Sequence, residues 1–271
     1  MIELFEQDCK TIDRQSSKGN QLKWENNGIW YKADYCGYEG LSEYVISNLL
    51  KKSTLKSNQY VLYELEQIMY KTVCYNGAKS NNFLHDDWQI ITLERLYKTF
   101  TGKSLYIETW HIPDTEERLL FLVDQIERIT GLKEFGKYMN ILFTIDALFL
   151  NEDRHMHNIA VLMNSKGEYT YCPIFDQGAG LLSDIKMDYP LEGDIYKLID
   201  SAKSKTICES FEEQLEVSEK LYGYNIHFNF TRKDVQLLLR SANIYSEEII
   251  TRVQNILFDR MRIYDYLFTA R

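Results

Sequence analysis

Proline is scarce in this chain, 3 of 271 residues, and leaves few rigid linkers, while tyrosine at 20 residues points to dense packing. The five cysteines, Cys9, Cys36, Cys74, Cys172 and Cys208, are odd in number, scattered, and never spaced Cys-x-x-Cys. That pattern fits neither a disulfide frame nor a zinc site and reads as reduced thiols. No basic segment followed by an apolar run opens the chain, so no secretory signal is visible. No stretch reaches the roughly 18 to 20 apolar residues that span a bilayer. A cytoplasmic location is expected. Positive charge is in deficit, with a net charge of −9, which excludes a broad nucleic-acid footprint. A basic amphipathic stretch for a membrane surface, internal repeats and low-complexity segments are all missing.

What is present is apolar content for a core, 45 %, and length for one two-lobed domain or two small ones. The most informative stretch is Asn151-Glu152-Asp153-Arg154-His155-Met156-His157-Asn158, directly after the apolar run Tyr138 to Leu150. Two short β-like runs follow, Ile159 to Met163 and Glu168 to Ile174, around the turn tetrapeptide Asn164-Ser165-Lys166-Gly167, and Asp176-Gln177-Gly178 comes next. Such a hairpin brings Asp153 and Asn158 at its entrance to Asp176 at its exit. Asn158 and Asp176 supply hard oxygen ligands for magnesium, and Asp153 a carboxylate that orients or deprotonates an attacking hydroxyl. An Asp, an Asn five residues on, and an Asp-x-Gly after a hairpin is the order found in protein-kinase-like folds.

Upstream, Asn27-Gly28 signals a hairpin that pairs Gln21–Glu25 with Ile29–Ala33, and the polar segment from Ser16 to Lys23 is either a loop that closes over phosphates or an ordinary surface loop before that hairpin. Lys32 ends the second strand. Glu43 shares a helical face with Ile46 and Leu50, so its carboxylate points to apolar surroundings and calls for a cation such as Lys32; the plainer reading is an acid in the first helical turn. Further strands are expected over 59–64 and 69–75, and a connector that reads the adenine edge over 76–87. The lobes divide as 1–84, holding the covering loop and small sheet, and 85–271, helical with the catalytic loop and metal-binding hairpin. Helices are expected from Thr92 onward, with a capping box at Asp114 to Glu117 and a stop at Gly131. They continue over 135–150, 211–222, 232–239 and 247–268.

With these residues in hand, Asn151-x-Asp153-x-His155-x-x-Asn158 together with Asp176 resembles the core of HipA-like serine/threonine kinases, the bacterial toxin-kinase family. Ser16-x-x-Gly19-x-Gln21-x-Lys23 resembles that family's nucleotide-covering loop, and Lys32 followed by Glu43 its strand lysine and helix glutamate. The resemblance implies an α+β, two-lobed kinase-like fold, ATP and Mg²⁺ as cofactors, and phosphorylation of a protein Ser or Thr. It implies Asp153 as base with His155 bracing the catalytic loop, Asn158 and Asp176 as metal ligands, Lys32 as the phosphate-binding lysine, and Ser16 as an autophosphorylated serine. The longer HipA toxins carry an N-terminal subdomain before this core; here fifteen residues precede Ser16. The chain is therefore read as a shorter, stand-alone form, with an antitoxin as a candidate partner but not through that subdomain. No Phe occupies the middle of Asp176-Gln177-Gly178, so no Phe-driven switch is inferred. Three alternatives stay open: a transition-metal hydrolase using Asp153, His155 and His157; a catalytically silent interaction module; and a kinase for lipids or small molecules.

Overall fold

Alternation along one strand sets the first sheet. In β3 (Ile29–Ala33) Tyr31 and Ala33 are buried with Trp24 of β2 (Lys23–Asn26), and Lys32 between them takes the opposite face. The computed structural model describes residues 1–10 and 21–268. The two strands pair antiparallel across the Asn27-Gly28 turn, both residues of which have positive φ, 53° and 76°. With β1 (Ile2–Glu3), β4 (Glu64–Tyr70) and β5 (Val73–Asn81) they form a five-stranded sheet in the order β1-β4-β5-β3-β2, with β1 parallel to β4. One face packs Leu4, Trp24, Tyr31, Ile68 and Tyr70, with Trp24 edge-on to Tyr70 at 5.2 Å.

Helix α1 (Glu39–Leu50) lies against β5 and β3 at backbone contact. A Cβ on Gly40 would stand 2.5 Å from the carbonyl carbon of Gly77, and one on Gly77 would stand 2.1 Å from the Lys32 carbonyl oxygen. Helix α1 approaches β5 this closely only because residue 40 is glycine, and glycine at 77 is what lets β5 lie against the Lys32 carbonyl of β3. The start of α1 is pinned by two carboxylates. Glu39 accepts the backbone N–H groups of Cys36 at 2.6 Å and Gly37 at 3.1 Å; Asp34 accepts that of Gly40 at 2.6 Å and the Tyr245 hydroxyl at 2.8 Å.

Two strand expectations need correction. The run 59–63 is not in the sheet: at its end the Tyr63 backbone is taken by side chains of α1, with Ser47 Oγ accepting from the Tyr63 N–H at 3.0 Å and Asn48 Nδ2 donating to the Tyr63 carbonyl at 3.1 Å. The real hairpin turns at Lys71-Thr72, with φ of 48° and 68°, and β5 runs on through Gly77 to Asn81. A Lys-Thr turn carries no sequence signal, whereas Gly77 carries a misleading one. The expected connector over 76–87 therefore begins as strand. Likewise β6 (Trp88–Thr92) precedes α2 (Leu93–Thr101) and pairs with β7 (Ala160–Asn164), which pairs with β8 (Tyr169–Tyr171), so the expected hairpin has a third strand.

The remaining helices are α3 (Leu105–Trp110), α4 (Thr115–Thr130), α5 (Phe135–Phe149), α6 (Ile195–Ser201), α7 (Phe211–Tyr222), α8 (Arg232–Arg240) and α9 (Glu247–Ile263). Asp114 caps α4 by accepting from the Glu117 N–H, and Gly131 ends it with φ of 72°. Two compact units result, Met1–Phe83 with Phe175–Ala202 and His227–Arg271, and Leu84–Ile174 with Lys203–Ile226. The first boundary lies next to the expected 84/85 division, but two later segments of the 85–271 portion belong to the sheet-bearing unit, each unit thus being discontinuous in sequence. Among the described residues no helix is long and apolar enough to cross a membrane.

Gly40→Ala is expected to destabilise the protein by ~1–3 kcal/mol, the range for overpacking, read from the urea midpoint. Burial, and then the Glu39 charge, push Asp34 up to about 7. Its folded value lies above its unfolded one, so its contribution to stability is full below about pH 4 and fades as pH rises through about 7. In Asp34→Asn the difference in urea midpoint between pH 5 and pH 8 should shrink.

Candidate active site

Lys32 comes off β3 on the face that carries α1, and Glu43 lies one turn beyond the Gly40 contact. Lys32 Nζ is 2.5 Å from Glu43 Oε1 and 2.7 Å from Asp176 Oδ1, and it lies 5.2 Å from the centre of the Tyr63 ring. Glu43 is 1 % exposed, and its second oxygen accepts the Gln177 N–H at 2.8 Å. Ser42, its neighbour on α1, donates to the Gln177 carbonyl at 2.7 Å. One turn of α1 thus holds the lysine and the backbone just past Asp176 together. Asp176 itself is held at φ 62°, a left-handed conformation that Asp tolerates better than most side chains. Burial alone would drive the proton off Lys32, but the charges of Asp176 and Glu43 outweigh it and hold the ammonium well above its usual range. Burial pushes Glu43 up, against the pull of Lys32. Across the β2–β3 ladder Lys23 lies directly opposite Lys32, so both lysines project from the same face of the sheet.

In the other unit α5 ends at Leu150, which is left-handed at φ 55°, and the chain turns into the polar loop. A buried ion pair fastens the loop to the helix: Arg154 Nε and Nη2 reach Asp146 at 3.2 Å, with side-chain exposures of 2 % and 0 %. Burial raises Asp146 to about 6, even with the Arg154 charge beside it. Arg154 Nη1 also donates to the Asn158 carbonyl at 3.2 Å. Asn158 Nδ2 in turn donates to the Asp153 carbonyl at 2.8 Å and to its carboxylate at 2.9 Å. His155 Nδ1 accepts the His157 N–H at 3.2 Å, which places its proton on Nε2, 3.6 Å from Asp153 Oδ1. Burial lowers the His155 pKa, so the ring is neutral at pH 7. Among the described residues no three His, Cys, Asp or Glu side chains gather as a metal site.

The residues expected from sequence thus gather in two sets, Lys32 with Glu43 and Asp176, and Asp153 with His155 and Asn158. Gln21 lies just before β2 and Lys23 begins it. Ser16 and Gly19 lie outside the described residues. Sequence reasoning left Asp146, Arg154 and the Gly40–Gly77 contact without roles. The signal for the first pair is a lone carboxylate in the apolar run of α5, which cannot be buried without a cation. Arg154→Met should cost ~3–5 kcal/mol, because it strands a buried carboxylate. Arg154→Met with Asp146→Leu should cost clearly less than the sum of the single changes, by urea denaturation in a double-mutant cycle.

No family model matches this chain, and no curated protein matches it. Among solved structures it is similar to the crystal structure of the Helicobacter pylori proinflammatory kinase CtkA, with a TM-score of 0.64 and 17 % sequence identity, over 98 % of this chain and 97 % of that one. At that identity the likeness is one of fold, and the fold of this chain is α+β, two-lobed and kinase-like.

Proposed function

We propose that this protein is an ATP- and Mg²⁺-dependent serine/threonine protein kinase of HipA-like type, acting in the cytoplasm. The observation that carries the reading is Lys32, a partly buried ammonium held between Glu43 and Asp176. A lysine so placed keeps its charge and can exchange one carboxylate for phosphate oxygens while the helix glutamate keeps it in position. The likeness to CtkA, itself a kinase, is a second support.

The donor chemistry fits magnesium. Asp176 offers carboxylate oxygens, and the Asn158 amide nitrogen is committed to Asp153, which leaves its oxygen for a cation. Bound Mg²⁺ would neutralise charge on the transferring phosphoryl group. Lys32 binds phosphate oxygens, and Lys23 adds positive charge on the same sheet face. Asn158 fixes the Asp153 carboxylate to accept the proton of a Ser or Thr hydroxyl. The hydroxyl oxygen bonds to the γ-phosphorus, the bond to the β–γ bridging oxygen breaks, and ADP leaves. Neutral His155 lies beside Asp153, its Nε2 3.6 Å from the carboxylate. Autophosphorylation near Ser16 is part of the proposal on the strength of the family resemblance, as is an antitoxin as a candidate partner.

Mass spectrometry after incubation with Mg·ATP should find phosphate on Ser16 or Ser17. Asp153→Asn and Asp176→Asn should each lower the rate by at least ~100-fold with unchanged circular dichroism, and chelation should stop the reaction until Mg²⁺ is restored. A wild-type protein that neither binds nor turns over nucleotide with any divalent metal would end the proposal. Lys32→Met should reduce ATP use by a larger factor than it shifts the unfolding equilibrium; equal losses would make Lys32 structural.

A further inference from the structure

Beside the catalytic loop lies a cavity of about 710 Å³ whose walls include Tyr106, Ile107 and Trp110 of α3, His155 of the loop, and Lys203 and Lys205. Its size suits a large side chain with its adjoining backbone. Tyr106 and Ile107 are 46 % and 53 % exposed, and the Tyr106 and Trp110 rings lie 5.7 Å apart. Apolar residues at this exposure on a concave surface mark a place for a partner's apolar group. The opposite wall is fixed to the catalytic loop itself: the Lys203 N–H donates to Glu152 Oε1 at 3.0 Å, and the Thr206 hydroxyl donates to the Arg154 carbonyl. The cavity therefore keeps its place relative to Asp153, whose carboxylate lies 3.6 Å from the lining His155.

The charges select an occupant. Glu209, the acid of the lining, is taken by the Lys203 ammonium at 2.6 Å. No carboxylate pairs with Lys205, which is exposed, among the described residues. An unneutralised ammonium thus stands at the edge of an apolar pocket, two residues along the chain from the lysine that covers the acid.

We infer that this groove receives the acceptor protein as an extended segment, seating a large apolar side chain on Tyr106, Ile107 and Trp110 and placing an acidic residue at Lys205, within a few residues of the Ser or Thr presented to Asp153. The inference rests on the kinase reading for Asp153, but the groove's occupancy is measurable without catalysis. A lipid surface would meet the same apolar and basic groups; the concave form of the site and the net charge of −9 favour a protein segment.

The test is binding of the full chain, without nucleotide, to a positional-scanning array of Ser-containing peptides, and separately to vesicles of anionic phospholipid. Both variants used change exposed side chains and keep the fold. The expected result is selection for a large apolar residue together with Asp or Glu. Ile107→Glu should weaken binding of the selected peptides about tenfold, and Lys205→Glu should turn the acidic preference into a basic one. Absent selection, preferences unchanged in both variants, or binding to vesicles in place of peptides would each overturn the inference. Since no turnover is read, peptide selection by a protein that uses no ATP would count against the kinase reading and leave the groove assignment standing.

Discussion

An ammonium shielded from water needs carboxylates, and the unit with the five-stranded sheet is arranged around meeting that need. Lys32 lies among Glu43, Asp176 and Tyr63, where an isolated cation would shed its proton. The acids come from a helix and from the segment after Ile174, so charging the lysine requires both to be docked on the sheet. Docking in turn depends on Gly40, whose missing side chain lets α1 approach the strand backbone at Gly77. Replacing any of these parts leaves either an uncompensated charge or a steric overlap.

The second unit applies the same rule to different purpose. Asp146 and Arg154 are both buried and both charged, and between them they fasten a polar loop to the end of an apolar helix. With the loop held at its centre, Asn158 bonds to the Asp153 carboxylate. Ion pairs of this kind add little net stability but fix a conformation, since each partner alone is costly to bury. For the kinase proposed here a loop fixed in this way matters, because small misplacements of a reacting group lower the rate steeply.

Much of the local structure was legible because it is written in short-range chemistry. Asn27-Gly28 supplies the positive φ values a tight turn needs, Asp114 and Gly131 bracket α4, and the apolar run of α5 ends where the polar motif starts. The strand limits around 59–92 were not legible. There the turn residues are Lys71 and Thr72, without a turn signature, and Gly77 is in mid-strand because a Cβ there would meet the Lys32 carbonyl of β3. The strand over 88–92 was hidden because five residues between a polar segment and a helix give too short an alternation to read.

By itself, then, the sequence determined the chemical inventory and its order: a strand lysine, a helix glutamate, an Asp and an Asn five apart, and an Asp-x-Gly beyond a hairpin. It could even indicate that Glu43 would need a cation, since a carboxylate on an apolar helical face has no other way to be buried. Tertiary structure alone decided that Asp176 shares that cation, that Arg154 is spent on Asp146, and which segments return to the sheet-bearing unit. These are pairings between residues up to 144 positions apart. Nothing local in the chain encodes them; they follow from which buried charges the folded backbone brings within reach of one another.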